Sequence, residues 1–184
     1  MLNLKKYKNL LFLLLIIILL ALNFITKLSI IFNYFPNICG IEPDFIINIQ
    51  KTATDYTKLY QDPENFPVNI TIYTPIYFFI CALPVKLLSI DVANDVHSIY
   101  IISRLISLFA AILIAVVMFL TLYKQLKINL YIAFAATSFS FIIISYMNIV
   151  VRPDSLKSFF LFIAIYYFIK WLNNNNNLIL FTCA

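Results

Sequence analysis

In 184 residues the sequence holds one glycine, Gly40, and one histidine, His97. A single glycine excludes the glycine-rich phosphate cradle of a P-loop, the dinucleotide-binding fingerprint and G-x-x-x-G helix packing, since each needs at least two. A single histidine excludes H-E-x-x-H metal chemistry. The three cysteines, Cys39, Cys81 and Cys183, are odd in number and lack C-x-x-C spacing, so neither a disulfide framework nor a zinc site is indicated. Charge is scarce as well, at 11% of residues against about a quarter in an ordinary soluble domain. The formal charge of +5 comes from basic residues that are scattered and mostly flank apolar runs. They read as topology signals and not as a nucleic-acid surface.

What fills the chain is hydrophobic, 63% of it. Apolar blocks at 10–33, 99–122, 128–147 and 156–172 each approach or exceed the roughly 18–20 residues that cross a bilayer. The expectation is an integral membrane protein, an all-α polytopic helical bundle. "KKYK" before the first block resembles the start of a signal peptide. The run that follows is too long for such a leader and has no A-x-A-like cleavage site, so a retained membrane helix is expected.

Lys5, Lys6 and Lys8 place the N-terminus in the cytoplasm under the positive-inside rule. The stretch 71–90, "TIYTPIYFFICALPVKLLSI", is long enough to span but carries Pro75, Pro84 and Lys86. Proline breaks or kinks a helix, and parity agrees with a non-spanning reading. If 71–90 stays on one side, Lys124, Lys127 and Lys170 fall inside and all eight acids fall outside. A kinked helix lying in the interface is therefore expected there. A second interfacial helix is expected over 44–60, where Phe45, Ile49, Ala53, Tyr56 and Tyr60 form a stripe with Lys51, Asp55 and Lys58 off it. Both belong to a first outer loop of about 34–98. "QDPENFP" (61–67) is a turn-rich connector, and "NNNNN" (173–177) a short polar loop. The expected architecture over 1–184 is a single membrane domain of about 4–5 spanning helices, the last begun at "LILFTCA" and cut short.

Polar residues at the membrane edge are the candidates for chemistry. Glu42 and Asp44 flank Pro43 just past the first span, and Asp44 suits the cap of a helix starting near Phe45. Asp154, after Pro153, is placed to cap a membrane helix, and Arg152 to anchor at the interface. Tyr73 and Tyr77 fit an interfacial aromatic belt. Arg104 and Lys86 are suited to a lipid phosphate, or to snorkelling with no ligand. His97 reads as an ordinary loop residue.

Order and topology raise these separate signals. "IEPDF" (41–45), "LYQDP" (59–63), "YTPIYF" (73–78), "RLISLF" (104–109) and "RPDSL" (152–156) occur in sequence around the outer face. In this the chain resembles the membrane-embedded glycosyltransferases of the GT-C type. The resemblance is to the family of protein mannosyltransferases and the bacterial lipid A aminoarabinose transferase, with their RgtA-like relatives. It covers most of the chain to about 172.

The resemblance implies transfer of a sugar from a polyprenyl-phosphate donor to a glycan, lipid or protein acceptor at the outer face of the plasma or inner membrane. An acid of the first outer loop would act as general base. The family's usual Asp-Glu pair is here Ile41-Glu42, which favours Glu42 for the base, with Asp44 two residues on and Asp154 as a second acid. Lys86, Arg104 and Arg152 would serve the donor phosphate, and Tyr73 and Tyr77 the substrate pocket. No metal-ligand cluster is visible, and participation of a divalent ion stays open. Complete family members have many more spans, so this stretch alone is expected to be inactive. The alternatives are a transporter or lipid-flippase fragment, with acids along a pathway, and a non-catalytic membrane subunit.

Overall fold

The computed structural model describes residues 4–33, 42–55, 75–147 and 150–174. Among the described residues six α-helices follow one another: α1 (Leu4–Asn33), α2 (Glu42–Thr54), α3 (Ile76–Leu87), α4 (Val96–Leu120), α5 (Leu130–Met147) and α6 (Asp154–Asn174). A π-type turn, Thr121–Gln125, extends α4. No strand occurs among the described residues.

Among the described residues, three helical stretches are long and apolar enough to cross a membrane: Leu10–Asn33, Val96–Gln125 and Asp154–Asn173. Leu10, Leu11, Leu14, Leu15 and Ile25 of α1 are all exposed, as are Ile143 of α5 and Leu161 of α6. Such a surface would associate in water, whereas in hydrocarbon it is what a helix must show. The remaining expected span, 128–147, contains an apolar helix of 18 residues, Leu130–Met147. At 1.5 Å per residue it is about 27 Å long, slightly short of the ~30 Å hydrocarbon core. Of the stretch 71–90, residues 75–90 are described, and Ile76–Leu87 form a helix of 12 residues with Pro84 inside it. At about 18 Å, that helix is shorter than the ~30 Å hydrocarbon core.

Several boundaries differ from the sequence reading for local reasons. The helix expected to start near Phe45 starts at Glu42, because Pro43 is tolerated in a first turn where its missing N–H costs nothing. Asp44 therefore sits inside that turn and not at its cap. Phe45, Ile49 and Ala53 of the expected stripe are buried, while Tyr56, Lys58 and Tyr60 lie outside the described residues. The polar run 173–177 is not all loop, since Asn173 and Asn174 complete α6. Asn173 Nδ2 donates to the Gln125 carbonyl at 2.9 Å, satisfying one of the carbonyls left open where the π-type turn ends.

With so little glycine, other residues take the left-handed conformation that ends a helix. Ser89 (φ 51°) follows α3, and Lys127 (φ 52°) follows the π-type turn. Around Ser89 the Ile90 N–H reaches back to the Val85 carbonyl at 3.1 Å, the signature of a Schellman stop. Asp91 then accepts from the main-chain N–H of Ala93 (2.9 Å) and Asn94 (3.1 Å), and Asp95 caps α4 by accepting from Ser98 N–H at 3.1 Å.

This last contact makes the start of α4 pH-sensitive. Hydrogen bonds from the Ser98 hydroxyl and then its main-chain N–H hold the Asp95 carboxyl below the ordinary carboxylate value. A depressed folded-state value contributes stability that is complete above the unfolded value and lost as pH falls through the folded one. The protection factor of the Ser98 amide should accordingly fall on acidification below the usual carboxylate range, and Asp95→Asn should flatten that dependence.

Helix α4 is the hub, packed against α1, α2, α3, α5 and α6. At its N-terminal end α2 and α3 meet over a core of Phe45, Ile49, Tyr77, Phe78, Cys81, Val85, Ile99 and Val151. A smaller cluster, Ile31, Leu108 and Val150, joins the end of α1 to α4 and to the α5–α6 corner. The C-terminal end of α1, the N-terminal end of α4, the α5–α6 corner and the α2–α3 pair thus share one end of the bundle. The described acids lie in α2 and just past its end at Asp55, in the α3–α4 turn and at the start of α6, all at this end, while Lys124, Lys127 and Lys170 mark the other.

Candidate functional site

The site grows from the first residue of α2. Glu42 and Arg104 are both fully buried. Arg104 Nε donates to Glu42 Oε1 at 3.1 Å and Nη2 donates to Oε2 at 2.9 Å, the two-pronged geometry that guanidinium and carboxylate share. Glu42 Oε1 also accepts from the main-chain N–H of Val151 at 2.9 Å. One carboxylate therefore ties α2 to α4 and to the α5–α6 corner.

The second tie starts from α3. Tyr77 is buried, and its hydroxyl lies 3.0 Å from Ser107 Oγ of α4. The Arg152 main chain also hydrogen-bonds this hydroxyl. Burial holds the Tyr77 phenol well above its ordinary range, so it remains a neutral O–H able both to donate and to accept. Burial likewise pushes the neighbouring Cys81 thiol up to about 12, which leaves it inert as a nucleophile near neutral pH. The α4 spacing explains the arrangement. Tyr100, Arg104 and Ser107 recur at four and three residues and so share one face, with the Arg104 guanidinium 5.0 Å from the centre of the Tyr100 ring.

Above these ties the corner turns into α6 and opens a pocket. Arg152, Asp154 and Ser158 line it together with Ile114, Ile143, Ile144 and Phe162, enclosing about 260 Å³. Arg152 is half-buried and Asp154 exposed. Ser155 Oγ donates to the Arg152 carbonyl at 2.8 Å, closing the turn between them. The pocket has a cation, a carboxylate and a hydroxyl among walls that are otherwise apolar.

The structure thus gathers Glu42, Arg104 and Tyr77 into one buried knot and sets Arg152 and Asp154 at the pocket directly beyond it. Asp44 is exposed on the first turn of α2, and Lys86 is exposed in the last turn of α3. Neither lines that pocket. Tyr73 lies outside the described residues. Among the described residues, no group of three or more His, Cys, Asp or Glu side chains is placed to hold a metal ion.

Sequence reasoning missed Ser107, Ser158 and the Val151 N–H. For Ser107 the signal was present, since it stands one turn after Arg104 in "RLISLF". It also passed over Lys27, which is buried near the end of α1 with its ammonium 4.5 Å from the Tyr146 ring centre. Close by, Ser145 Oγ donates to Asn23 Oδ1 at 3.1 Å. No family model, no curated protein and no solved structure matches this chain.

Proposed function

We propose that the chain belongs to a membrane-embedded glycosyltransferase that moves a sugar from a polyprenyl-phosphate donor to an acceptor at the outer membrane face. One observation carries the reading: Arg152 and Asp154 stand together on a pocket whose remaining walls are largely the apolar residues of α4, α5 and α6. That combination matches an amphiphile with a phosphate head. Arg152 offers planar N–H donors to the phosphate and offsets the negative charge that develops on it as the sugar leaves. Asp154, exposed at the start of α6, is open to an acceptor hydroxyl and able to take its proton. The ordered motifs shared with GT-C transferases support the same assignment.

In this reading α5 completes a set of four spans, α2 and α3 lie in the interface, and the N-terminus is cytoplasmic. The separation of acids from Lys124, Lys127 and Lys170 along the bundle supports the orientation. Cysteines introduced at Asp91 and Lys124 should therefore react with an impermeant thiol reagent from opposite sides of sealed vesicles. Labelling of both from one side would overturn the topology. A transporter would instead call for charged groups along a path through the bundle, whereas Arg104, Asp154 and Lys27 all lie towards its α2–α3 end. The activity is tested by measuring sugar transfer from a labelled polyprenyl-phosphate donor in membranes carrying Asp154→Asn.

A further inference from the structure

We infer that Glu42, Arg104 and Tyr77 are positioning residues, which hold the Val151–Arg152 main chain and so aim Arg152 and Asp154 at the pocket. Three observations converge. Glu42 Oε1 accepts from Val151 N–H at 2.9 Å while Arg104 fixes the same carboxylate from the other side. The Tyr77 hydroxyl, held 3.0 Å from Ser107 Oγ, is hydrogen-bonded by the Arg152 main chain. Glu42, Arg104 and Tyr77 are fully buried, whereas Arg152 and Asp154 reach the surface.

The division of labour follows from geometry. A carboxylate enclosed and engaged by a guanidinium on both oxygens is poorly placed to meet an acceptor hydroxyl. It is well placed to fix a main chain. Two consecutive residues of the corner are then tied by side chains from α2 and α3, both braced on α4. The corner cannot rotate without breaking at least one tie. The pocket's polar pair is thereby set by side chains that do not line it.

The part of this inference that concerns turnover rests on the transferase reading; the part that concerns the corner does not. The experiment compares two uncharged pairs in the full chain. Glu42→Leu/Arg104→Met removes the ion pair together with the acceptor for Val151 N–H. Glu42→Gln/Arg104→Met removes the charges but keeps an amide oxygen at that place. Hydrogen exchange of the Val151 amide should accelerate about ten- to a hundredfold in the leucine pair, the scale of one lost hydrogen bond to a charged group, and return towards wild type in the glutamine pair. Exchange in the middle of α4 should be unchanged in both. Tyr77→Phe keeps its ring in the core and gives an independent arm, in which the Arg152 amide should accelerate about tenfold, the scale of one lost neutral hydrogen bond. The same variants should raise the KM for the polyprenyl-phosphate donor more than they lower kcat. Wild-type exchange in the leucine pair and in Tyr77→Phe, or equal acceleration in both pairs, overturns the positioning role. A labelled polyprenyl-phosphate donor that fails to bind the wild type, with the exchange pattern as expected, overturns the transferase reading alone.

Discussion

Arg104→Ala should destabilise the folded protein by about 3–5 kcal/mol, because it leaves the fully buried Glu42 carboxylate without its counter-charge. Glu42→Ala should cost a similar amount by stranding the guanidinium. Against a total of about 5–15 kcal/mol for a typical domain, either loss removes a large share of stability. The double variant Glu42→Leu/Arg104→Met should recover most of it. Desolvating two ions opposes their mutual attraction, and well-packed apolar replacements of similar volume are often neutral or better. Thermal unfolding in detergent, followed by circular dichroism, distinguishes the cases. Single variants near wild-type stability would mean that water or other groups compensate the remaining charge. A double variant no better than either single would mean that the Val151 tie, and not charge pairing, dominates the energy.

The helices were legible because their cause is local. Long apolar runs without glycine or proline leave the backbone of α1 only one way to satisfy itself in hydrocarbon, and the alternation of Phe45, Ile49 and Ala53 marks the buried face of α2. Boundaries were less legible, since Pro43 and Asp95 each admit more than one helix start and the choice is made by tertiary packing. The knot was not legible at all. Glu42 meets Arg104 across 62 residues and Val151 across 109, and no periodicity encodes a pairing at such distance. Both residues stood out as charges beside apolar runs. Their roles depended on whether each faced the surface or another charge, which composition does not carry.

The contrast between buried and exposed acids leads to the second large effect. Asp154→Asn should lower the rate of sugar transfer by about 10²–10⁴-fold, the usual contribution of a positioned general base. Asparagine keeps the size and the hydrogen-bonding reach of the side chain, and an exposed substitution of this kind ordinarily shifts stability by no more than about 0.5 kcal/mol. A folded, membrane-inserted but inactive variant would therefore assign the loss to chemistry. Asp154→Glu should restore part of the rate, since it returns the base at the cost of one extra methylene in its reach. Asp44→Asn supplies the control: Asp44 is equally exposed but belongs to α2 and does not line the pocket, so its rate should stay close to wild type. If Asp154→Asn retains full activity while Asp44→Asn loses it, the base lies on α2 and the corner serves binding alone. If both retain it, neither carboxylate moves the proton, and the transferase reading loses the group on which its chemistry depends.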